Sequence, residues 1–108
     1  MPAGLLLALA IAVEVAATLC LRASDGFSRP LPSVFVVVGY LISFWLLSRV
    51  LKEIDVGTTY AIWAGAGTAA IALIGMVALG EPVTALRVGS ILLIVVGVVG
   101  LNVAGGAH

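Results

Sequence analysis

Glu14 is the residue best placed to do chemistry, because no other acidic or basic side chain precedes Arg22 and its surroundings are almost all apolar. A carboxylate in such a setting is costly to leave bare, so it holds a proton or pairs with a cation. That is the chemistry of exchange, not of covalent catalysis. At helical spacings of three, four and seven residues, Leu7, Ala10, Ile11, Ala17, Thr18 and Leu21 share its face. These side chains are mostly small or slim and leave room beside the carboxylate for a ligand or for a neighbouring helix. The plainer alternative is a protonated glutamate that only glues helices together, although ionisable groups inside spanning helices usually mark a pathway or a relay.

Two further faces carry aromatic rings and hydroxyls. Tyr40, Ser43, Phe44 and Leu47 fall on one, and Tyr60, Trp63 and Gly67 on another. Ring faces attract cations and apolar walls bury their substituents, so such a lining beside a lone anion suits an organic cation. An aromatic belt at the water interface is the competing reading, and Trp45 fits it well. The remaining chemistry is sparse. Cys20 stands alone, and no Cys-x-x-Cys pair or His cluster suggests a metal. No nucleophile has a matching base and no phosphate loop is present, so neither enzymatic activity nor a cofactor is expected. Five basic and five acidic residues cancel without any run of like charge, which argues against nucleic acid as a partner.

The elements that must position these groups follow from composition. Of 108 residues, 63% are hydrophobic and 9% charged, with a mean hydropathy of +1.32. Soluble domains carry about a quarter of their residues as charges. Lipid is therefore the expected surroundings, and the charges cut the chain into four apolar blocks at 3–22, 31–52, 57–79 and 85–105. Each is close to the ~20 residues that cross ~30 Å of hydrocarbon as a helix. Helices are required, since lipid satisfies no backbone polar group and four short strands cannot close a barrel. The expected fold is an all-α membrane protein, one four-helix domain over residues 1–108. Residues 1 to 13 have no Lys or Arg and Glu14 interrupts the apolar run, so the first block is expected to be a retained span rather than a cleaved signal.

The joints contain turn residues: Ser24, Asp25 and Gly26 with Pro30 and Pro32, then Arg49 to Asp55, then Gly80, Glu81 and Pro82. Asp25 and Glu81 read most simply as solvated charges or helix-end caps. With tight turns, Arg49 and Lys52 share one side with both termini, while Arg22, Arg29 and Arg87 lie on the other. Three against two is too even to impose one orientation and permits insertion both ways. Gly65 and Gly67 inside the third block allow close packing or a kink. Gly89, Ser90, Gly97 and Gly100 form a small-residue stripe on a fourth block that has no ionisable group after Arg87, as expected of a helix that docks a partner.

Taken together, Ala10-Ile-Ala-Val-Glu14, Ser24-Asp-Gly-Phe-Ser-Arg-Pro30, Ser43-Phe-Trp-Leu46, Tyr60-Ala-Ile-Trp63, Gly65-Ala-Gly67 and Gly80-Glu-Pro82 run along nearly the whole chain. This pattern resembles the small multidrug resistance transporters. The resemblance implies an antiparallel homodimer of oppositely inserted copies in the bacterial inner membrane, an unlike pair with a paralogous chain being the alternative. It implies that the two Glu14 carboxylates bind either protons or one cationic substrate, with Tyr40, Tyr60 and Trp63 lining the cavity and Ser43 a polar contact. The guanidinium-exporting branch typically has tryptophan three residues after the glutamate and glycine four before it. Ala17 and Ala10 occupy those positions here. With Tyr40 present, the chain looks more like the multidrug branch, which exports aromatic and quaternary ammonium cations.

Overall fold

The computed structural model describes residues 2–104. They form four helices, α1 (Ala3–Ala23), α2 (Pro30–Val50), α3 (Val56–Ala78) and α4 (Ala85–Val103), and no strand occurs among the described residues. All four are long and apolar enough to cross a membrane. The ends differ from the expected blocks by one or two residues. Gly105, the expected end of the fourth block, lies outside the described residues.

Helix ends are set by local chemistry. Pro30 opens α2 at a position where its missing N–H has no partner to lose. Asp55 caps α3 by accepting from the Thr58 amide at 3.0 Å and the Thr58 hydroxyl at 2.8 Å. Those two bonds, the hydroxyl's first, hold its carboxyl below the ordinary aspartate value. Thr84 caps α4 by accepting from the Arg87 amide at 3.1 Å.

Between α1 and α2 the backbone passes through the left-handed region at Asp25, Gly26 and Phe27. Ser24 closes this turn from inside. It is fully buried, its hydroxyl donates to the Leu21 carbonyl at 2.7 Å, and the same oxygen accepts from the Phe27 amide at 3.1 Å. Gly80, also at positive φ, ends α3, and the amides of Leu79 and Glu81 both turn back to the Gly75 carbonyl. Glu81 folds its carboxylate over Gly75, where any Cβ would collide with it. Arg87 stands 3.6 Å from that carboxylate and donates to the Pro82 carbonyl at 2.9 Å. Glu81 is thus a half-exposed, paired loop charge.

The chain divides into two compact units after Glu53. In the first, α1 and α2 pack along each other. Ala10 meets Ser43, Ala17 meets Gly39 and Thr18 meets Tyr40. From Ala10 to Ala17 and Thr18 the partner moves back from Ser43 to Gly39 and Tyr40, so the helices are antiparallel. Gly39 makes the approach possible, because a Cβ there would lie 2.8 Å from the Ala17 Cβ. In the second unit, α4 returns along α3, and Gly65 receives the Val98 and Ile94 methyl groups. The helix α3 continues unbroken through Gly65 and Gly67. No described residue of α4 is buried.

Candidate functional site

Glu14 lies midway along α1 and is half-buried. One turn later, the Thr18 hydroxyl donates to Glu14 Oε1 at 2.9 Å. This is the four-residue spacing at which helical side chains stack. The Tyr40 hydroxyl of α2 lies 2.8 Å from the same Thr18 oxygen. A threonine has one proton to give. With Thr18 donating to Glu14, Tyr40 donates to Thr18, and both protons point toward the carboxylate. The arrangement is a polarised chain, Tyr40 to Thr18 to Glu14, built across the α1–α2 seam. Among the described residues the one salt bridge is Arg87–Glu81, so no Lys or Arg neutralises Glu14 there.

The rest of the unit supports this chain. Ser43 is fully buried and donates to the Ala10 carbonyl at 2.8 Å. Its proton therefore ties α2 to the backbone of α1 one turn before Glu14. Leu7, Ala10 and Ala17 are buried, and Ala17 sits on Gly39, while Ile11 is half-buried. Tyr40 stacks near Phe44, with centroids 6.4 Å apart and Phe44 itself exposed. Trp45 is exposed, and the Arg49 guanidinium lies over its ring, 5.5 Å from the centroid, as an interfacial pair does.

The second unit holds the other aromatic pair. Tyr60 and Trp63 meet edge to face, 5.6 Å apart at 75°, with Tyr60 63% exposed. Beside them Thr59 is fully buried. On α4, nothing lies within 4 Å of a Cβ built at Gly89, Gly97 or Gly100, and Ser90 turns its hydroxyl back to the Leu86 carbonyl at 2.7 Å. The stripe is an open helix face. No group of three or more His, Cys, Asp or Glu able to hold a metal occurs among the described residues.

Two features escaped the sequence. The Thr18–Tyr40 bond joins positions that face reading assigned separately, and only the register of α1 against α2 reveals it. Thr59 was not singled out, although its place beside Tyr60 and one turn before Trp63 was a usable signal.

The profile of the family described as "Small Multidrug Resistance protein" matches residues 3–94. The chain is 45% identical over 101 residues to "Nicotine metabolites export pump subunit NepA" of Paenarthrobacter nicotinovorans, covering 94% of this chain and 87% of that protein. It is 45% identical to "Multidrug resistance protein mmr" of Mycobacterium bovis, covering 92% of both chains. It is 39% identical to "Guanidinium exporter" of Escherichia coli, covering 93% of this chain and 95% of that protein. Four spanning helices, a lone acid in the first of them and a match over nearly the full length lead to one conclusion: the chain belongs to the Small Multidrug Resistance family of dimeric small-cation exporters and is a multi-pass protein of the bacterial inner membrane.

Proposed function

We propose that this protein is a proton-coupled antiporter that exports hydrophobic and aromatic organic cations, quaternary ammonium ions among them, with Glu14 as the shared site for proton and substrate. The observation that carries the reading is the half-buried Glu14 carboxylate, which accepts the Thr18 hydroxyl at 2.9 Å and has no cationic partner among the described residues. A carboxylate so placed is neutralised by a proton or by a cargo cation, and the two exclude each other. Tyr40, Phe44, Tyr60 and Trp63 supply ring faces for the cargo. The working form is an antiparallel homodimer, each copy one four-helix domain, paired through the open Gly89, Ser90, Gly97 and Gly100 face of α4. Two oppositely inserted copies supply the inverted repeat that other transporters encode within one chain.

Exchange of two protons for one monovalent cation draws on both gradients. Two protons contribute about 2.7 kcal/mol per pH unit. The one net inward charge adds about 2.3 kcal/mol per 100 mV. The test is cation-driven proton release from liposomes containing the purified protein. Wild type releases protons when a quaternary aromatic cation is added, and Glu14→Gln, which keeps size and removes ionisation, does not. Proton-coupled export by a folded Glu14→Gln protein overturns the reading. The 39% identity to a guanidinium exporter favours guanidinium as a second cargo, to be added in the same assay.

A further inference from the structure

Gly39 and Ala17 meet at a point of the α1–α2 seam that leaves no room for a second methyl. A Cβ built on Gly39 stands 2.8 Å from the Ala17 Cβ, and Ala17 is buried there at 3% exposure. The residues next in sequence on each helix, Thr18 and Tyr40, make the hydrogen bond that crosses the seam, with 2.8 Å between their oxygens. Thr18 in turn donates to Glu14 at 2.9 Å. The close seat and the hydroxyl chain are therefore neighbours on both helices.

That adjacency links them mechanically. The Tyr40 hydroxyl sits at the end of a rigid ring, and the Thr18 hydroxyl is already held by Glu14, so neither oxygen is free to follow a helix that moves away. Carbons rest about 3.5–4.0 Å apart, so a methyl on Gly39 pushes α2 from α1 by roughly 1 Å. An oxygen pair at 2.8 Å opened by that much is no longer a hydrogen bond. Two turns before Ala17 on α1, Ser43 still ties α2 to the Ala10 carbonyl at 2.8 Å, which keeps the helices paired when the seat is disturbed.

We propose that Gly39 and Ala17 are positioning residues for the exchange site: their close seat holds the Tyr40 hydroxyl on Thr18, and through Thr18 it sets how tightly Glu14 binds a cation. This rests on the exporter reading above. The pair itself touches neither proton nor cargo. A seat with only a structural role would change stability and leave the affinity of the folded protein alone.

The geometry supplies a rescue. With Ala17→Gly added to Gly39→Ala, the nearest atoms left to the new Cβ are the Cα of residue 17 at 3.6 Å and the Val13 carbonyl oxygen at 3.8 Å, both ordinary contacts. The methyl has only changed helices, and one glycine and one alanine remain, so helix propensity nearly cancels. Affinity for benzyltrimethylammonium is measured by calorimetry on the purified, folded proteins at one pH near neutrality. Gly39→Ala binds about three- to tenfold more weakly than wild type, the size of one net hydrogen bond. The exchange of Gly and Ala restores the affinity. In Tyr40→Phe, which already lacks the hydroxyl, adding Gly39→Ala costs nothing further. Val50→Ala, a truncation buried at the far end of α2, lowers stability and keeps the affinity. Where Gly39→Ala does not fold, Ala17→Ser, which crowds the same seat from α1 by a smaller atom, carries the test and loses affinity in the same way. Wild-type affinity in the folded seat variant overturns the proposal, as does an unrescued exchange. A further loss in the Tyr40→Phe background also overturns it, because the effect then bypasses the hydroxyl. An equal loss in Val50→Ala does so too, because affinity then follows stability. Wild type that binds no organic cation refutes the exporter reading instead.

Discussion

At the scale of single residues, the carboxylate is not an isolated charge but the end of a chain of hydroxyls. Thr18 holds Glu14 Oε1, and Tyr40 orients Thr18. In the proposed mechanism Tyr40 acts on Glu14 through its hydroxyl and on the cargo through its ring, two separable roles. We expect Thr18→Val and Tyr40→Phe each to weaken cation binding, by about three- to tenfold, because a bond that favours the ionised carboxylate is lost or misdirected. The double variant should fall little further, since both changes cut the same chain. A double-mutant cycle on cation affinity should show a coupling of about 0.5–1.5 kcal/mol, whereas additive losses mean that the two hydroxyls act independently. Binding should also release protons, counted by calorimetry in buffers of different ionisation enthalpy. No release from wild type at any pH rules out competition at Glu14.

At the scale of elements, two glycines decide how closely helices approach, and they differ in tolerance. A Cβ at Gly39 meets the Ala17 Cβ at 2.8 Å, an atom fixed to the backbone, so Gly39→Ala forces the helices apart. The expected loss is about 1–3 kcal/mol in a reversible unfolding assay in mixed micelles. Adding Ala17→Gly to Gly39→Ala should recover much of it. At Gly65 the obstacle is a Val98 methyl at 2.9 Å, one bond further from its backbone than the Ala17 Cβ and on a helix with no buried described residue, so Gly65→Ala should be milder than Gly39→Ala. The start of α3 should be acid-sensitive. Bonds to Thr58 hold Asp55 below its ordinary value, so its contribution is complete above the ordinary carboxylate range and fades as pH falls through the lowered one. Hydrogen exchange at the Thr58 amide should speed up on such acidification in wild type. In Asp55→Asn, which caps without titrating, it should lack that acid-induced acceleration beyond the intrinsic pH dependence of exchange.

For the whole molecule, the question is how copies are inserted and paired. Arg22, Arg29 and Arg87 oppose Arg49 and Lys52, and Arg87 stands beside Glu81. Added lysines in the joint between α2 and α3 should drive every copy into one orientation and reduce transport by that protein alone. Co-expression with a copy biased the other way should restore it. Full activity of a protein fixed in one orientation refutes antiparallel pairing. The α4 face offers a second check, because a bulky side chain at the open Gly97 should weaken dimerisation in detergent without unfolding the protomer.

Composition and length alone determined the four spans, because ~20 apolar residues between polar joints leave the chain no alternative to a helix in lipid. Glu14 was legible for the same reason: an unmatched carboxylate in an apolar run needs a counterpart whatever surrounds it. The joints were legible from Gly, Pro and charge, although not the caps at Asp55 and Thr84. Spans that are apolar nearly all round carry no strong stripe to say which face packs. Only the tertiary structure decided that Ala17 seats on Gly39, that Gly65 receives α4 within an unbroken helix, and that Thr18 meets Tyr40. It also separated hydroxyls that look alike in sequence: Ser43 is spent on the Ala10 carbonyl, while Thr59 is buried with none. A hydroxyl's partner depends on the register of one helix against another, and that register is a property of packing which no single span encodes.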